Sequence, residues 1–228
     1  MELDQEEPWK YMEIERLTPR QLEVLLADGW RHFGTFFFRD RISWNNGRLT
    51  PVIPLRIDVN RFKPSKSQRK ALRKNNDTQV VFNPASINSE KEAIFHAHCQ
   101  RFKDNVPSSI YDFVDRNPSV VPCGCTQECC LYLNGRLFGI SFIDVTPGAV
   151  SSIYAMFLPE FSAYSPGLYT LLMEIEFAKT QGKKYVYTGY SFAENSHYDY
   201  KKKFTGTEFY NWQGVWQPLE NLDQSPDI

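Results

Sequence analysis

The sequence predicts an α+β fold, in which a mixed, mainly antiparallel sheet is flanked by helices and a smaller α+β part precedes the core. Three observations predict it. Residues 128–158 have the pattern of three antiparallel strands joined by turns at "NGR" and "TPGA". A helix follows, with Ser165 as its cap, Pro166 at its start and Gly182 at its end. The segment "KKYVYTGY" then predicts a buried strand, which completes a β-β-β-α-β unit.

The N-terminal part contains signals for one helix and two strands. Residues 1–16 are polar and fit an arm or an early strand. "LTPRQLEVLLADGW" predicts a helix, because Thr18 can cap it, Pro19 suits its first position and Gln21 completes a capping box. "FGTFFFRDRI" and "TPVIPLRIDV" predict strands on either side of the turn "WNNGR".

Three more helices are expected between these parts. Ser65 or Ser67 can cap a helix that extends to Asn75. "NSEKEAIFHAHCQRFKD" predicts another, because its apolar residues keep helical spacing, and "SSIYDFVDR" predicts a short one. The polar tail after Pro218 is expected to be loose. These signals divide the chain into an N-terminal region 1–62, a core 63–218 and a tail 219–228.

Composition limits the classes of protein that this chain can be. Of 228 residues, 42% are hydrophobic and 15% aromatic, which is enough for a folded core and argues against disorder. No apolar run is long enough to span a membrane, and the N-terminal segment lacks the apolar core of a signal peptide. The five cysteines are an odd number, and four of them crowd into "CGCTQECC". This pattern favours a reducing, cytoplasmic location over a disulfide scaffold.

Positive charge is concentrated in one short stretch, "RFKPSKSQRKALRKNND", although the whole chain has a formal net charge of −1. On a helix, Lys66, Lys70 and Lys74 would align, and so would Arg69 and Arg73. Like charges at that spacing repel, so the stretch does not stabilise the fold. It is either a solvated face or a binding site for an anionic partner.

The order of the later strands and helix suggests the core of a GNAT-type acyltransferase. In that fold, a glycine-rich turn before the helix holds the pyrophosphate of acetyl-CoA through backbone N–H groups. The corresponding turn here, "PEFSAYSPG", has one glycine and a proline that removes a donor. The sequence therefore favours an acyl carrier other than CoA.

Several longer motifs resemble the aminoacyl-tRNA–protein transferases, which include the arginyl-tRNA–protein transferases and the bacterial aspartate/glutamate leucyltransferases. The matching segments are "GWRHFGTFFF", "PLRIDVNRFKPSKSQRKALRKNND", "GRLFGISFIDV", "AVSSIYAMFLPE", "SPGLYTLLMEIEFAKTQGKKYVYTGY" and "YDYKKKF". The resemblance implies a GNAT-like transferase core. It also implies transfer of leucine or arginine from aminoacyl-tRNA to the N-terminal amine of an acceptor protein or peptide that begins with Asp or Glu.

Members of the family usually carry a cysteine pair just before the "PLR" strand, implicated in binding a metal or iron–sulfur cluster. The equivalent stretch, "DRISWNNGRLTPVIPLR", has no cysteine, so no cofactor is expected. The cysteines of "CGCTQECC" are also not expected to hold a metal. Cys129 and Cys130 are adjacent, and on a strand they would face opposite sides.

The candidate site residues come from four places, one of which is the end of the strand "KKYVYTGY", where this fold splays and admits its acyl group. The basic stretch is expected to bind tRNA phosphates, and the resemblance implies roles for "YDYKKKF", taken as a strand. Asp144, Ser152 and Tyr154 are expected to face one cleft, with Asp144 or Tyr154 as a proton relay. The candidate catalytic residues are Asp144, Ser152, Tyr154, Tyr200 and Lys201; those for tRNA or substrate binding are Lys66, Arg69, Lys70, Arg73, Tyr187, Gly189, Tyr190 and Lys203.

Each of these assignments has a structural rival. The lysines of "YDYKKKF" could guard an exposed edge strand, Ser152 and Tyr154 could be ordinary strand residues, and Tyr187 could be core. Two other functions also remain open. One is an acyl-CoA-dependent N-acyltransferase, and the other is a non-catalytic tRNA-binding or adaptor module.

Overall fold

The computed structural model describes residues 7–45, 47–103, 106–196 and 198–224. The four α-helices are α1 Pro19–Ala27, α2 Lys66–Lys74, α3 Ser89–Cys99 and α4 Pro166–Thr180. The twelve strands are β1 Trp9–Glu13, β2 Arg31–Phe33, β3 Phe36–Asp40, β4 Ile42–Asn45, β5 Arg48–Asp58, β6 Gln79–Pro84, β7 Thr126–Leu133, β8 Arg136–Val145, β9 Ala149–Phe157, β10 Tyr185–Phe192, β11 Thr207–Tyr210 and β12 Trp216–Pro218.

The strands form two sheets. The large sheet has the order β12-β11-β5-β10-β9-β8-β7-β6, with β4 paired to β5. Its one parallel pair joins β9 to β10, and the other pairs are antiparallel. The small sheet has the order β1-β3-β2. The predicted α+β class and the GNAT-like order of three antiparallel strands, a helix and a parallel strand are both confirmed.

Helices cover both faces of the large sheet. On one face, α4 packs Leu172, Ile175 and Ala178 against residues of β5, β8, β9 and β10. On the other face, α3 contributes Ile94 and Phe95 to a cluster with β7, β8 and β9, and α1 packs against the start of β9 and β10. The core therefore lies in two layers, one on each side of the sheet.

The helix caps follow the sequence signals in two cases and depart from them in one. Thr18 and Ser65 each cap a helix through a capping box, completed by Gln21 and Gln68. Ser165 occupies the predicted N-cap position of α4 but departs from the usual capping geometry. It has a left-handed φ of 54° and makes no side-chain cap bond. Its carbonyl oxygen instead accepts hydrogen bonds from Leu168 and Tyr169.

Two local predictions need correction. The strands around "WNNGR" are not a simple pair, because Ile42–Asn45 forms its own strand against β5, while Phe36–Asp40 belongs to the small sheet. Asn46, in the turn, lies outside the described residues. "YDYKKKF" was predicted as a strand, but Lys201–Lys203 forms a 3₁₀ turn.

The ends of the chain are described only in part. Residues 1–6 of the expected arm and residues 225–228 of the expected tail lie outside the described residues. In the described part of the arm, Trp9–Glu13 is a strand. Leu219–Gln224 is a 3₁₀ turn whose Leu219 and Leu222 pack against the buried cluster around Phe209. Across the described ranges, every helix is too short or too polar to cross a membrane.

Candidate active site

The candidate site lies where β9 and β10 separate. These strands pair in parallel only between Tyr185–Tyr187 and Ala149–Ser151, and beyond that point they are no longer hydrogen-bonded to each other, although β9 stays paired with β8 and β10 with β5. A bulge interrupts the pairing of β10 with β5 at the same level, between Tyr187 and Gly189. Gly189 has a φ of +85°, and a Cβ atom there would lie 3.4 Å from the Lys201 ammonium. The bulge therefore opens the sheet next to a cation.

The bulge also decides which way the tyrosines of β10 point. In a regular strand, Tyr187 and Tyr190 would face opposite sides, because they are three residues apart. Here the extra residue brings both rings to the same side, 5.0 and 5.7 Å from the Arg31 guanidinium carbon. Tyr187 is buried with the α1 cluster, and the Tyr190 hydroxyl donates to the Gly29 carbonyl at 2.9 Å. Both tyrosines thus frame Arg31.

On the other side of the opening, α4 buries a carboxylate. Glu174 is 1% exposed. It accepts hydrogen bonds from Ser141, at 2.5 Å, and from Ser152. Burial raises the pKa of Glu174 from 4.5 to about 7, against the opposing effects of the two serines and of Lys201. At neutral pH this carboxyl group can therefore both accept and release a proton.

Lys201 is close enough to both this carboxylate and Arg31 for their charges to act on it. Its ammonium donates to the Tyr190 carbonyl at 3.3 Å. Burial, followed by the charge of Arg31, lowers the pKa of Lys201 to about 8, while Glu174 acts in the opposite direction. The Tyr198 ring lies 5.0 Å from the same ammonium and lines an open cleft of about 460 Å³ with Trp44. Tyr198 therefore contacts both Lys201 and this surface cleft.

Tyr200 precedes this lysine and is 42% exposed. Desolvation of its hydroxyl, followed by the nearby Glu174 carboxylate, raises its pKa to about 12. Tyr200 can therefore donate a hydrogen bond at neutral pH but cannot act as a base.

Asp144, Ser152 and Tyr154 do not converge on one cleft as predicted. Ser152 points to α4, where it bonds Glu174. A bulge between β8 and β9 separates it from Tyr154, whose ring stacks on Phe113 at 3.7 Å on the other face. Burial raises the pKa of Tyr154. Of the three, Ser152 contacts the candidate site directly.

Asp144 instead belongs to a buried polar cluster. Its carboxylate is 2.7 Å from both His32 Nε2 and the Thr126 hydroxyl. Burial disfavours the charged imidazole, but the Asp144 carboxylate outweighs this effect and raises the pKa of His32. Cys123 Sγ lies 3.4 Å from Asp144 and 2.9 Å from Cys125 Sγ.

Cys123, Cys125 and Asp144 are the described residues that could hold a metal ion, since their ligand atoms lie within 4.8 Å of one another. They already satisfy one another by hydrogen bonds, so the arrangement does not require an ion. Cys129 and Cys130 pack on opposite faces of the sheet, as expected. That the protein binds no metal stays a prediction, which elemental analysis would test.

The basic helix α2 presents its cations to solvent. Gln68 and Ala71 are buried, whereas Lys66, Arg69, Lys70, Arg73 and Lys74 are exposed. Within the described ranges, none of these five cations forms a salt bridge with a carboxylate. Gln68 Nε2 donates to the carbonyl of the exposed Lys203 at 3.4 Å, so this surface is continuous with the turn that carries Lys201. These exposed cations form one surface, the α2 cationic surface.

The N-terminus of α4 is poorly suited to a pyrophosphate. Pro166 has no N–H group, and the N–H groups of Leu168 and Tyr169 both bond to the Ser165 carbonyl. Among the residues of this turn, Gly167 alone has an N–H group that remains available to a phosphate. A pyrophosphate cradle needs several converging N–H groups, so CoA binding at this turn is disfavoured.

Three groups were not predicted from the sequence: Glu174 and Arg31 near the opening, and His32 beside Asp144. Glu174 did carry a signal, because it lies on the apolar face of α4 between Leu171 and Ala178. A charged residue in such a position is either paired or functional. Arg31 and His32 are part of the quoted motif "GWRHFGTFFF", but their burial depends on the packing of β2 against the large sheet.

Comparison with known proteins identifies one family across both parts of the chain. The family described as "Arginine-tRNA-protein transferase, C terminus" matches residues 88–211, and its N-terminal counterpart matches residues 2–70. An aspartate/glutamate leucyltransferase of Campylobacter jejuni is 27% identical over 93% of this chain and 88% of the relative. One of Marinobacter nauticus is 31% identical, over 86% of this chain and 81% of the relative.

The crystal structure of FemX is similar in fold, with a TM-score of 0.52 and 11% identity over 89% of this chain and 69% of FemX.

Proposed function

This chain belongs to the arginine-tRNA–protein transferase family, and we infer that it transfers an amino acid from aminoacyl-tRNA to the N-terminal amine of a protein. It is a transferase with a GNAT-like core. Following its relatives, which are named aspartate/glutamate leucyltransferases, the donor we propose is leucyl-tRNA. The acceptor we propose is a protein that begins with Asp or Glu.

The observation that carries this proposal is the buried Glu174 beside the opening between β9 and β10. Transfer requires the α-amine to lose a proton as it attacks the ester. A carboxylate with a pKa of about 7 is matched to that task at neutral pH. Asp144 is a weaker candidate, because His32 and Thr126 already occupy its carboxylate. Tyr154 is weaker too, because its raised pKa keeps it protonated.

The reaction is a direct aminolysis. The amine nitrogen forms a bond to the ester carbonyl carbon, and the bond from that carbon to the terminal ribose oxygen of tRNA breaks. Glu174 accepts the proton that the amine nitrogen loses and then donates it to the ribose oxygen, which leaves as a hydroxyl group. Because an α-amine has a pKa of about 8, deprotonation at pH 7 costs only about 1 kcal/mol. Alignment of the two substrates therefore provides most of the acceleration.

Ser152, Tyr200 and Lys201 are proposed to act around that carboxylate. Ser152 orients it through its hydrogen bond. Lys201 adds positive charge beside Glu174, and Tyr200 offers a hydrogen-bond donor to the developing oxyanion. Tyr187, Gly189 and Tyr190 shape the opening that receives the aminoacyl group.

We assign tRNA binding to the α2 cationic surface. Exposed arginines and lysines without carboxylate partners are suited to phosphates. Lys66, Arg69, Lys70 and Arg73 lie on that surface, and Lys203 extends it toward the opening. A tRNA held there would place its acylated end near Lys201.

The experiment that tests the function offers a panel of labelled aminoacyl-tRNAs to peptides that begin with Asp, Glu, Arg or Ala. We expect label to appear on the Asp and Glu peptides, with leucyl-tRNA as donor. A parallel calorimetric titration with acetyl-CoA should show no saturable binding. Micromolar CoA affinity without any transfer from tRNA would instead support an acyl-CoA-dependent enzyme. Saturable tRNA binding without turnover would support an adaptor.

A further inference from the structure

Arg31 is a buried cation whose guanidinium has no anionic partner in the described ranges. It is 5% exposed. Nη1 donates to the carbonyl oxygens of Trp30, at 2.5 Å, and of Leu26, at 3.4 Å. Nε and Nη2 are buried without any hydrogen-bond partner. An unpaired buried charge strongly destabilises a folded protein, so such a group is expected where a ligand supplies the missing partner.

The surroundings of Arg31 do not compensate its charge. Burial lowers the pKa of Arg31, and among the nearby groups that act on its charge are Tyr190, Tyr187 and Arg56. Arg56 is itself paired with Glu208 at 2.8 Å. Two tyrosine rings and a second arginine thus surround the guanidinium, and no carboxylate is among the groups that act on it.

A second cation lies next to it. Lys201 is close enough to Arg31 for the two charges to repel, and close enough to Glu174 for attraction. Near the opening, two cations therefore face one carboxylate. One more negative charge between Arg31 and Lys201 would pair the free Nε and Nη2 atoms and relieve the repulsion.

The enclosure of the Arg31 guanidinium favours a side-chain carboxylate over a phosphate as its partner. A phosphodiester is flanked by a ribose on each side, so its charged oxygens cannot enter so enclosed a site. The α2 cationic surface already offers exposed cations for phosphates. A carboxylate is planar and matches the two free N–H groups of a guanidinium. In an N-terminal Asp or Glu, that carboxylate is only a few bonds from the amine that must reach Glu174.

We propose that Arg31, assisted by Lys201, binds the side-chain carboxylate of the acceptor's first residue and so determines the specificity for N-terminal Asp and Glu. The proposal rests on the proposed function, since it names the receptor for that acceptor. It also explains why Tyr187 and Tyr190 are brought to one side, because together they hold the guanidinium against the opening.

The test compares wild type, Arg31→Met and Arg31→Lys with four peptides that differ only in their first residue: Asp, Asn, Glu and Gln. We expect Arg31→Met to lower kcat/KM about 100-fold for the Asp and Glu peptides. For the Asn and Gln peptides the change should stay within about threefold. Arg31→Lys keeps the charge but loses the planar fork, so it should recover part of the activity on the acidic peptides.

Arg39→Met is the matched control. Arg39 is also buried, in the small sheet, and lies over Tyr210 and Trp212 at 5.8 and 5.2 Å. Unlike Arg31, it donates to the Asp28 carbonyl at 2.8 Å and lies near the Asp28 carboxylate. Its substitution should leave the ranking of the four peptides unchanged. Thermal unfolding of all three variants checks that each folds.

Calorimetric binding of the four peptides separates this proposal from the proposed function. If the Asp and Glu peptides bind in an Arg31-dependent way but nothing is transferred, the proposed function is wrong. The proposal that Arg31 binds the acidic side chain would still stand. If a folded Arg31→Met variant transfers the amino acid with the same ranking of the four peptides as wild type, Arg31 does not bind the acidic side chain. The proposed function would still stand. A variant that loses tRNA affinity and slows equally on all four peptides would assign Arg31 to tRNA instead. Binding without any acidic preference in wild type would also refute the pocket.

Discussion

At the scale of single residues, burial brings the pKa values of an acidic and a basic side chain toward each other. Desolvation favours the neutral form of each group, so it raises the pKa of Glu174 to about 7 and lowers that of Lys201 to about 8. Their mutual attraction opposes both shifts and does not cancel them. The result is a site in which small rearrangements can move a proton near neutral pH.

Glu174→Gln should therefore lower the transfer rate and change its dependence on pH. We expect a loss of about 100-fold, at the low end for general bases, because the ester is activated and part of the amine is already neutral. In wild type, the rate should rise with pH through about 7 as Glu174 loses its proton. In the variant this rise should disappear, leaving only the titration of the acceptor amine near pH 8. Single-turnover rates between pH 5.5 and 9 would measure both effects.

Glu176→Gln is the control, since Glu176 lies exposed on the same helix. Stability gives an independent check on Glu174. The folded state holds the Glu174 proton more tightly than the unfolded state, so folding is penalised as pH rises from about 4.5 to 7. Relative to wild type, the glutamine variant should gain about 3 kcal/mol in unfolding free energy across that range. An equal pH dependence in both proteins would contradict the assigned pKa.

At the scale of elements, helix α2 separates its stabilising and binding roles on two faces. The capping box of Ser65 and Gln68 and the buried Ala71 attach the helix to the fold. The Asn75 side chain donates to the Tyr164 carbonyl at 2.9 Å and ties the C-terminal end to the segment before α4. Leu72 also packs against the core, and the cations lie at exposed positions, so removing them leaves this attachment intact.

A variant with Lys66, Arg69, Lys70 and Arg73 neutralised should bind tRNA more weakly but fold normally. The slope of log K against log salt should become shallower by up to about one unit for each phosphate that the variant no longer binds. The melting temperature should change little, because exposed, unpaired charges contribute little to stability. Filter binding at several salt concentrations and a thermal melt would measure the two quantities.

The matched control neutralises four exposed cations elsewhere, at Arg16, Arg20, Lys103 and Lys179. It removes the same charge without touching α2, so its salt slope should stay close to that of wild type. If both variants bound tRNA with equally reduced affinity, net charge rather than the α2 cationic surface would explain the binding.

At the scale of the whole molecule, one strand joins the N-terminal region to the core. β5 pairs with β10 on one side and with β11 on the other, and it buries Ile53, Leu55 and Ile57. The small sheet in turn packs Phe37 against α1 and the start of β10. That the chain divides at residue 62 stays a prediction. The hydrogen bonds of β5, which lies before that residue, join it to β10 and β11, which lie after it.

We therefore expect the chain to unfold as one cooperative unit. Denaturant titrations followed by tryptophan fluorescence and by far-UV circular dichroism should give coincident single transitions. Residues 63–228 expressed alone should be insoluble, because β10 and β11 would lose the strand between them and expose their edges. A folded, soluble fragment, or two separate transitions, would show that the N-terminal region is an independent domain.

The local elements could be predicted from sequence because their signals are local. Thr18, Pro19 and Gln21 define the start of α1, and the turns at "NGR" and "TPGA" separate three strands. The motifs from "GWRHFG" to "YDYKKKF" also sufficed to predict the family and the reaction. These patterns depend on residues that are neighbours in sequence. The basic helix and its exposed charges could be predicted for the same reason.

The geometry of the site was decided by tertiary structure. The bulge at Gly189 turns Tyr187 and Tyr190 to one side, and no short-range pattern predicts the extra residue. Arg31 and Glu174 are far apart in sequence, and each is perturbed only because packing removes water from around it. Asp144 shows the converse, since a partner 112 positions away, His32, takes up a carboxylate that looked available. Desolvation depends on everything packed around a group, so the chemistry of these charges emerges only when the sheet is assembled.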